Sequence, residues 1–355
     1  MEPLPPLSLP KTWFPILILG AGGIVRDAHL PAYRLANFPV WGLCNRTVAR
    51  AQELADAYGI EHVFADVDEA IAQAPADTIF DLALPASHFA DVLRKLPRGA
   101  SVLIQKPMGE TLQQAREIVE ICRERELKGS INCQLRYAPF VRAARALIDR
   151  GEIGTLLDFE MRLNVYTPWS LFPFLEGLPR MEILYHSVHY IDLMRSFLGE
   201  PRSIMARTYP HPDLPELTSV RSTLLLDYPD PLRATITANH THGFGALHQE
   251  SYLKWEGTKG AIKARIGLLM DYPKGAADRF EYCVIEKGEP VWREVALEGS
   301  WFPHAFIGTM ADAMRWKEGT IAQAPSHVDD VVKTMACVEA AYLSNEQGGV
   351  RPIMP

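Results

Sequence analysis

The sequence lacks a long apolar run. No stretch approaches the roughly 20 consecutive apolar residues that a membrane-spanning helix needs, which argues against a membrane protein. Cysteine is scarce. The five present (Cys44, Cys122, Cys133, Cys283, Cys337) are scattered, and none forms a CxxC pair. That excludes a disulfide framework or a zinc knuckle as the organising feature, and free thiols in a reducing compartment are expected. There is no excess of positive charge: Lys plus Arg total 36 against 43 Asp plus Glu, for a formal net charge of −7. With no long basic run, the chain is not expected to bind nucleic acid. The Pro- and Leu-rich segment Met1–Trp13 lacks a basic stretch, and the apolar run Phe14–Leu19 is too short for a secretion signal, so a cytoplasmic location is expected. No internal repeat or low-complexity block stands out.

What remains is an ordinary globular composition, 48% hydrophobic and 22% charged, over 355 residues. That length exceeds one average domain of ~100–200 residues, so two domains are expected. The first part alternates short apolar runs with helical patterns. Pro15–Gly20, Val40–Cys44, His62–Phe64, Ile79–Leu84, Ser101–Ile104 and Gly129–Cys133 read as strands buried on both faces. Thr47–Tyr58, Val67–Gln73, His88–Leu96 and Thr111–Glu126 read as the helices between them, with Thr47 and Thr111 as N-caps and Gly59 as a C-cap. Repeated β-α-β units predict an α/β fold whose first domain is a Rossmann-type, doubly wound parallel sheet. Beyond Arg150 the runs are longer and partly alternating, from Leu156–Asn164 to Trp292–Ala296, which predicts a large, mostly antiparallel open sheet. Helices are expected at about Met181–Phe197, Pro303–Lys317 and Val328–Asn345. The boundary is placed near Ala138–Gly151, giving a first domain at 1–138 and a second at 139–355.

Gly20-Ala21-Gly22-Gly23-Ile24-Val25 directly follows the first strand. It reads as a GxGxx turn in which Gly20 permits the tight turn, Gly22 lets the backbone approach a pyrophosphate, and the following helix start offers N–H groups to the phosphates. The context is the required one, a buried strand before and a helix after. The second strand ends in Asn45-Arg46 where NAD-binding domains usually carry an acidic residue. Asn45 can bond a ribose without repelling a 2′-phosphate, and Arg46 can pair with that phosphate, so NADP is favoured over NAD. A solvated surface role for Arg46 stays open.

These segments carry a resemblance. GAGGIVRDAHLPAY (Gly20–Tyr33), LPASH (Leu84–His88), QKPMGET (Gln105–Thr111), NCQLRYAPF (Asn132–Phe140), HYIDLMRSFLG (His189–Gly199) and EGTKGAI (Glu256–Ile262) come in the order found in the Gfo/Idh/MocA oxidoreductases, which the chain resembles over nearly its whole length. The resemblance implies an enzyme with a nicotinamide cofactor that oxidises or reduces a sugar, polyol or sugar acid. It also implies a homodimer or homotetramer formed through the second sheet. It assigns Gly20, Gly22, Gly23, Ile24, Asn45, Arg46, Pro85, His88, Gln105, Lys106 and Gln134 to the cofactor. Lys106 matches the family lysine that touches both nicotinamide ribose and substrate, although Gln105 replaces the usual Glu before it. His189 takes the family's acid/base position, while Tyr185 stands where an Asp is usual, with His186 beside it.

Histidine suits proton transfer because its ordinary pKa of about 6.5 lies near working pH. Lys106 would stabilise developing alkoxide charge. Tyr185 can hold a substrate hydroxyl, but at neutral pH it does not replace the Asp's charge. In an α-helix Glu182, His186 and His189 share a face. With His240 and His242 they resemble a zinc donor set, yet the polar lining of a sugar pocket is preferred and no metal is expected. Arg136, after the sixth strand, and the aromatics Tyr166 and Trp169 complete the candidate substrate contacts, since aromatic faces suit the C–H face of a sugar. Two other readings stay open: a lyase, isomerase or glycosidase that retains its cofactor, and a non-catalytic NAD(P)-binding sensor.

Overall fold

The short apolar runs of the first part become strands β1 (Ile16–Leu19), β2 (Val40–Cys44), β3 (His62–Phe64), β4 (Ile79–Leu82), β5 (Ser101–Ile104) and β6 (Lys128–Ile131). They form one parallel sheet in the order β3-β2-β1-β4-β5-β6. β1, β4 and β5 are buried along their whole length and are mostly apolar, with Asp81 of β4 and Ser101 of β5 as buried polar exceptions. The strand order reverses between β1 and β4, the switch point at which open α/β sheets bind ligands. The structure, a computed structural model, describes residues 6–349. The outermost parts of the expected domains, including the start of Met1–Trp13, lie outside the described residues.

The second part supplies β7 (Leu156–Asn164), β8 (Ser203–Tyr209), β9 (Arg221–Asp227), β10 (Arg233–Asn239), β11 (Glu250–Gly257), β12 (Gly260–Arg265), β13 (Arg279–Glu286) and β14 (Glu289–Val295). These eight form a sheet in the order β14-β13-β12-β11-β7-β10-β9-β8. Every neighbouring pair is antiparallel except β7 and β10. Burial alternates along β9, β10 and β11, as expected of a sheet with one covered face. The last helix holds the edge strand β8 through Ser344 Oγ, which accepts the Ala206 N–H at 2.9 Å, and Asn345 Oδ1, which accepts that of Thr208 at 3.0 Å. The open face carries polar cross-strand pairs such as Arg233–Asp158 and Arg162–Glu250.

The division of the chain differs from the expected single cut at 138/139. Among the described residues, one compact unit takes in 6–142 together with the returning segment Glu298–Met335. The other is Ala143–Leu297 with residues 336–349. The returning segment belongs to the first unit for packing reasons. Phe306, Met310, Ala311, Ala313 and Met314 of helix Ala305–Glu318 join the same buried cluster as Ile16, Ile18, Leu43 and Leu103. The Ile131 N–H donates to the Ser326 carbonyl at 2.8 Å.

The expected helix Met181–Phe197 is also interrupted. Its first part, Ile183–Ser187, is a π-turn, and the α-helix proper is Val188–Leu198. The Val188 N–H reaches back to the Ile183 carbonyl, five residues earlier, while the Ser187 hydroxyl donates to the Glu182 carboxylate at 2.7 Å. The wider turn removes the simple 3.6-residue register by which Glu182, His186 and His189 were placed on one face. Thr111 accepts the Gln114 N–H as an N-cap should, whereas Thr47 occupies its N-cap position without a side-chain bond. Gly59 adopts the left-handed C-cap conformation.

Candidate functional site

The first candidate cluster lies at the carboxyl ends of β1, β2, β4, β5 and β6. At the end of β1 the backbone of Gly20 takes φ +120°, and a Cβ there would meet the Ala83 carbonyl oxygen at 2.2 Å, so only glycine fits. Gly22 and Gly23 are exposed, and a Cβ on Gly22 would meet nothing within 4 Å. Ile24 packs against the first unit's core. Asn45 Oδ1 accepts the Ala21 N–H at 3.2 Å, and its Nδ2 donates to the Thr47 carbonyl at 2.9 Å. Asn45 thus clips the glycine turn to the end of β2, a role the sequence reading did not assign. Arg46, Pro85 and His88 are exposed near the ends of β2 and β4.

After β5, Gln105 is buried and Lys106 half-buried. Burial lowers the Lys106 ammonium to about 8, against a small opposing effect from Cys133. The Lys106–Pro107 peptide bond is cis. After β6, Gln134 is wholly buried, and neither its amide oxygen nor its nitrogen has a hydrogen-bond partner. A buried amide with both atoms unmatched costs free energy unless something bonds it. With the open cradle over Gly22, it gives a dinucleotide polar atoms to meet, so the residues present fit that group. Arg136 is committed elsewhere: its guanidinium pairs with Asp330 at 2.7 Å and donates to the Pro325 carbonyl at 3.0 Å.

The second cluster lies in the other unit, where the π-turn meets the end of β10. Glu182 is wholly buried, and its Oε1 lies 3.6 Å from His240 Nε2. Its Oε2 has no hydrogen-bond partner, and neither has His240 Nε2. The His186 ring sits 4.6 Å from that of His240, and Trp169 packs edge-on to His186 at 5.7 Å. The Trp169 indole N–H is buried and unmatched. His240 Nδ1 bonds the Thr167 hydroxyl at 3.0 Å. Tyr166 is half exposed, Tyr185 partly buried beside Phe174, and His189 buried on helix Val188–Leu198. Glu182, His186 and His240 are therefore brought together, and Trp169 with them. Among the described residues, no group of three or more His, Cys, Asp or Glu side chains is arranged to hold a metal ion. Nor is any helix there long and apolar enough to cross a membrane.

A Rossmann sheet with a glycine turn at its switch point, in a chain whose second unit is built on an open, mostly antiparallel sheet, defines a two-part dinucleotide-dependent protein. Residues 14–132 match the model of an oxidoreductase family with an NAD-binding Rossmann fold, and residues 141–263 match the GFO/IDH/MocA C-terminal domain. The chain belongs to the Gfo/Idh/MocA oxidoreductases, and it is an oxidoreductase. An uncharacterised protein of Saccharomyces cerevisiae, YMR315W, is 30% identical over 69% of this chain and 72% of its own length. The D-apiose dehydrogenase of Rhizobium rhizogenes is 23% identical over 86% of this chain and 88% of its own. Among solved structures, an oxidoreductase from Agrobacterium radiobacter in complex with NAD+, L-tartaric acid and magnesium superposes with a TM-score of 0.79 at 20% identity. That match covers 95% of this chain and 98% of the other.

Proposed function

We propose that the protein moves a hydride between a nicotinamide cofactor and the hydroxyl or keto carbon of a sugar, polyol or sugar acid. The observation that carries this reading is the grouping of the glycine turn, the Lys106 turn and the unmatched Gln134 amide at the carboxyl ends of one parallel sheet. The names of two relatives support the substrate class: D-apiose dehydrogenase and the 1,5-anhydro-D-fructose reductase of Ensifer adhaerens. When bound, the cofactor supplies the hydride acceptor or donor. The glycine turn, Gln134, Pro85 and His88 would hold it. Lys106 lowers the pKa of the substrate hydroxyl and stabilises alkoxide charge as it develops. His189 takes or returns the hydroxyl proton, and Tyr185, His186, Tyr166 and Trp169 orient the substrate. The reaction is set in the cytoplasm, and the polar face of the second sheet meets a second copy, which sedimentation of the purified protein tests.

Sugars, polyols and sugar acids assayed with both nucleotides, by the absorbance of reduced nicotinamide, test the proposal. Lys106→Ala and His189→Ala should each lower kcat by ~10²–10⁴-fold, more than they weaken cofactor binding. Near-normal kcat in both variants would sink the mechanism. The exposed Arg46 and the absence of a carboxylate at Asn45 favour NADP(H). Binding constants should show that preference, and Arg46→Ala should narrow it. Tyr185 in place of a carboxylate favours a second reading, a lyase or isomerase that retains its cofactor. Product formation without net change in nicotinamide absorbance would select it.

A further inference from the structure

Behind the Lys106 turn runs a chain of buried polar side chains from separate elements: His29, Tyr33, Asp81, Gln105, Asn132 and Thr309. Asp81, on β4, accepts from the Tyr33 hydroxyl at 2.7 Å and bonds His29 Nδ1 at 2.7 Å through the same oxygen. The other ring nitrogen, His29 Nε2, lies 3.4 Å from Gln105 Nε2 and 3.3 Å from Asn132 Nδ2. Thr309 donates to Asn132 Oδ1 at 2.8 Å. Gln105 Oε1, in turn, accepts the backbone N–H of Lys106 at 2.8 Å.

That last bond fixes the protonation of the whole chain. A backbone N–H only donates, so it must face the Gln105 oxygen, and the Gln105 NH₂ must then face His29. His29 Nε2 meets a donor and therefore accepts. Its proton sits on Nδ1, where the Asp81 carboxylate requires a donor. His29 is thus a neutral imidazole in one tautomer, although it touches a buried carboxylate. The titratable groups bonded into the chain are Asp81 and Tyr33. Burial and the Asp81 charge hold the Tyr33 phenol well above its usual range, so it remains a donor.

We infer that Gln105 is a positioning residue that seats the backbone of Lys106 on a neutral, Nδ1-protonated His29, and so ties the lysine's turn to the helix that follows the glycine turn. The inference rests on the reading of Lys106 as a group of the proton chemistry, but its central claim is readable without any substrate. His29 lies in the turn Val25–His29, directly after the glycine motif, so the relay joins the two segments expected to meet the cofactor. A carboxylate at position 105 would still accept the Lys106 N–H, yet its second oxygen would demand a proton on Nε2 and turn His29 into an imidazolium.

The test is nitrogen-15 NMR of histidine-labelled protein, with Gln105→Glu and Gln105→Met beside the unmodified chain. The unmodified protein should show one neutral, Nδ1-protonated imidazole at the pH of the structure-preserving buffer, assigned to His29 by its loss in His29→Asn. That same signal should become doubly protonated in Gln105→Glu. Gln105→Met, which removes both bonds at similar volume, should lower kcat by at least ~10-fold with NAD(P)H affinity little changed. Gln105→Glu should retain more of kcat than Gln105→Met, with a shifted pH profile. A doubly protonated His29, an Nε2-protonated tautomer, or a histidine spectrum indifferent to Gln105→Glu would overturn the relay. The expected spectra with unchanged kcat in Gln105→Met would overturn the positioning role, while the assignment of Lys106 itself is judged separately by Lys106→Ala. If Gln105→Met fails to fold, the spectra of the other two proteins decide.

Discussion

Each unit of the molecule buries a histidine beside a carboxylate, and the two pairs are built differently. In the first unit His29 and Asp81 meet at 2.7 Å, and both ring nitrogens are bonded. In the second unit Glu182 and His240 stand 3.6 Å apart. Each carboxylate leaves one oxygen unmatched, Asp81 Oδ1 as well as Glu182 Oε2, but only the second pair also leaves a ring nitrogen, His240 Nε2, unmatched. Both pairs are inaccessible to water. Burial alone therefore does not mark a site. In the first pair the histidine uses both ring nitrogens to tie separate strands and turns together. The second leaves capacity unspent beside His186 and Trp169, which is what a polar group awaiting a ligand or a proton looks like.

The largest effect expected from this contrast is that of Asp81→Ala. It strands the His29 N–H and the Tyr33 hydroxyl in the core of the first unit, and should cost about 2–5 kcal/mol of unfolding free energy. Chemical denaturation measures it, and a loss under ~1 kcal/mol would break the contrast. Lys106 gives a sharper, intermediate test. Its ammonium is lowered from 10.5 to about 8 in the folded chain, so the unfolded chain binds the extra proton between those values. Stability of the unmodified protein relative to Lys106→Met should therefore rise as pH climbs through that window, and lie flat below it. A falling difference would mean that Lys106 is held as an ammonium by a charge. The smallest effect belongs to Glu182→Gln. The amide oxygen can still accept from Ser187, and no hydrogen bond to His240 is lost, so the cost should stay within ~1 kcal/mol by the same denaturation measurement. A loss as large as that of Asp81→Ala would make the two pairs alike.

Much of the first unit was legible because its physics is local. A strand largely covered on both faces is mostly apolar, so the short runs Val40–Cys44, His62–Phe64 and Ser101–Ile104 announce themselves to the residue. The glycine turn was equally plain, since Gly20 sits where no Cβ fits. What escaped was long-range or depended on side-chain geometry. His29 lies inside a helical pattern and bears no local mark of the carboxylate 52 residues away that it bonds. Gln105 read as a departure from a motif, and its two hydrogen bonds explain what an amide does there. Asn45 was expected to face a ribose; that its side chain also clips the turn had no local signal. The π-turn at Ile183–Ser187 defeats a 3.6-residue reading because one extra residue per turn leaves no trace in the apolar pattern. Arg136 was expected at the substrate, and its pairing with Asp330, 194 residues further on, had no local mark.

The returning segment Glu298–Met335 has a consequence for biosynthesis. As the chain leaves the ribosome, β1 to β6 emerge long before Phe306, Met310 and Met314, which share their core. The usual order, in which an N-terminal domain folds while later residues are still being made, is closed to this unit. Its sheet must wait with one flank uncovered until the intervening unit has been synthesised. A nascent chain halted shortly after Arg142 should therefore remain sensitive to protease, and one extended past Met335 and clear of the exit tunnel should gain resistance in the same unit.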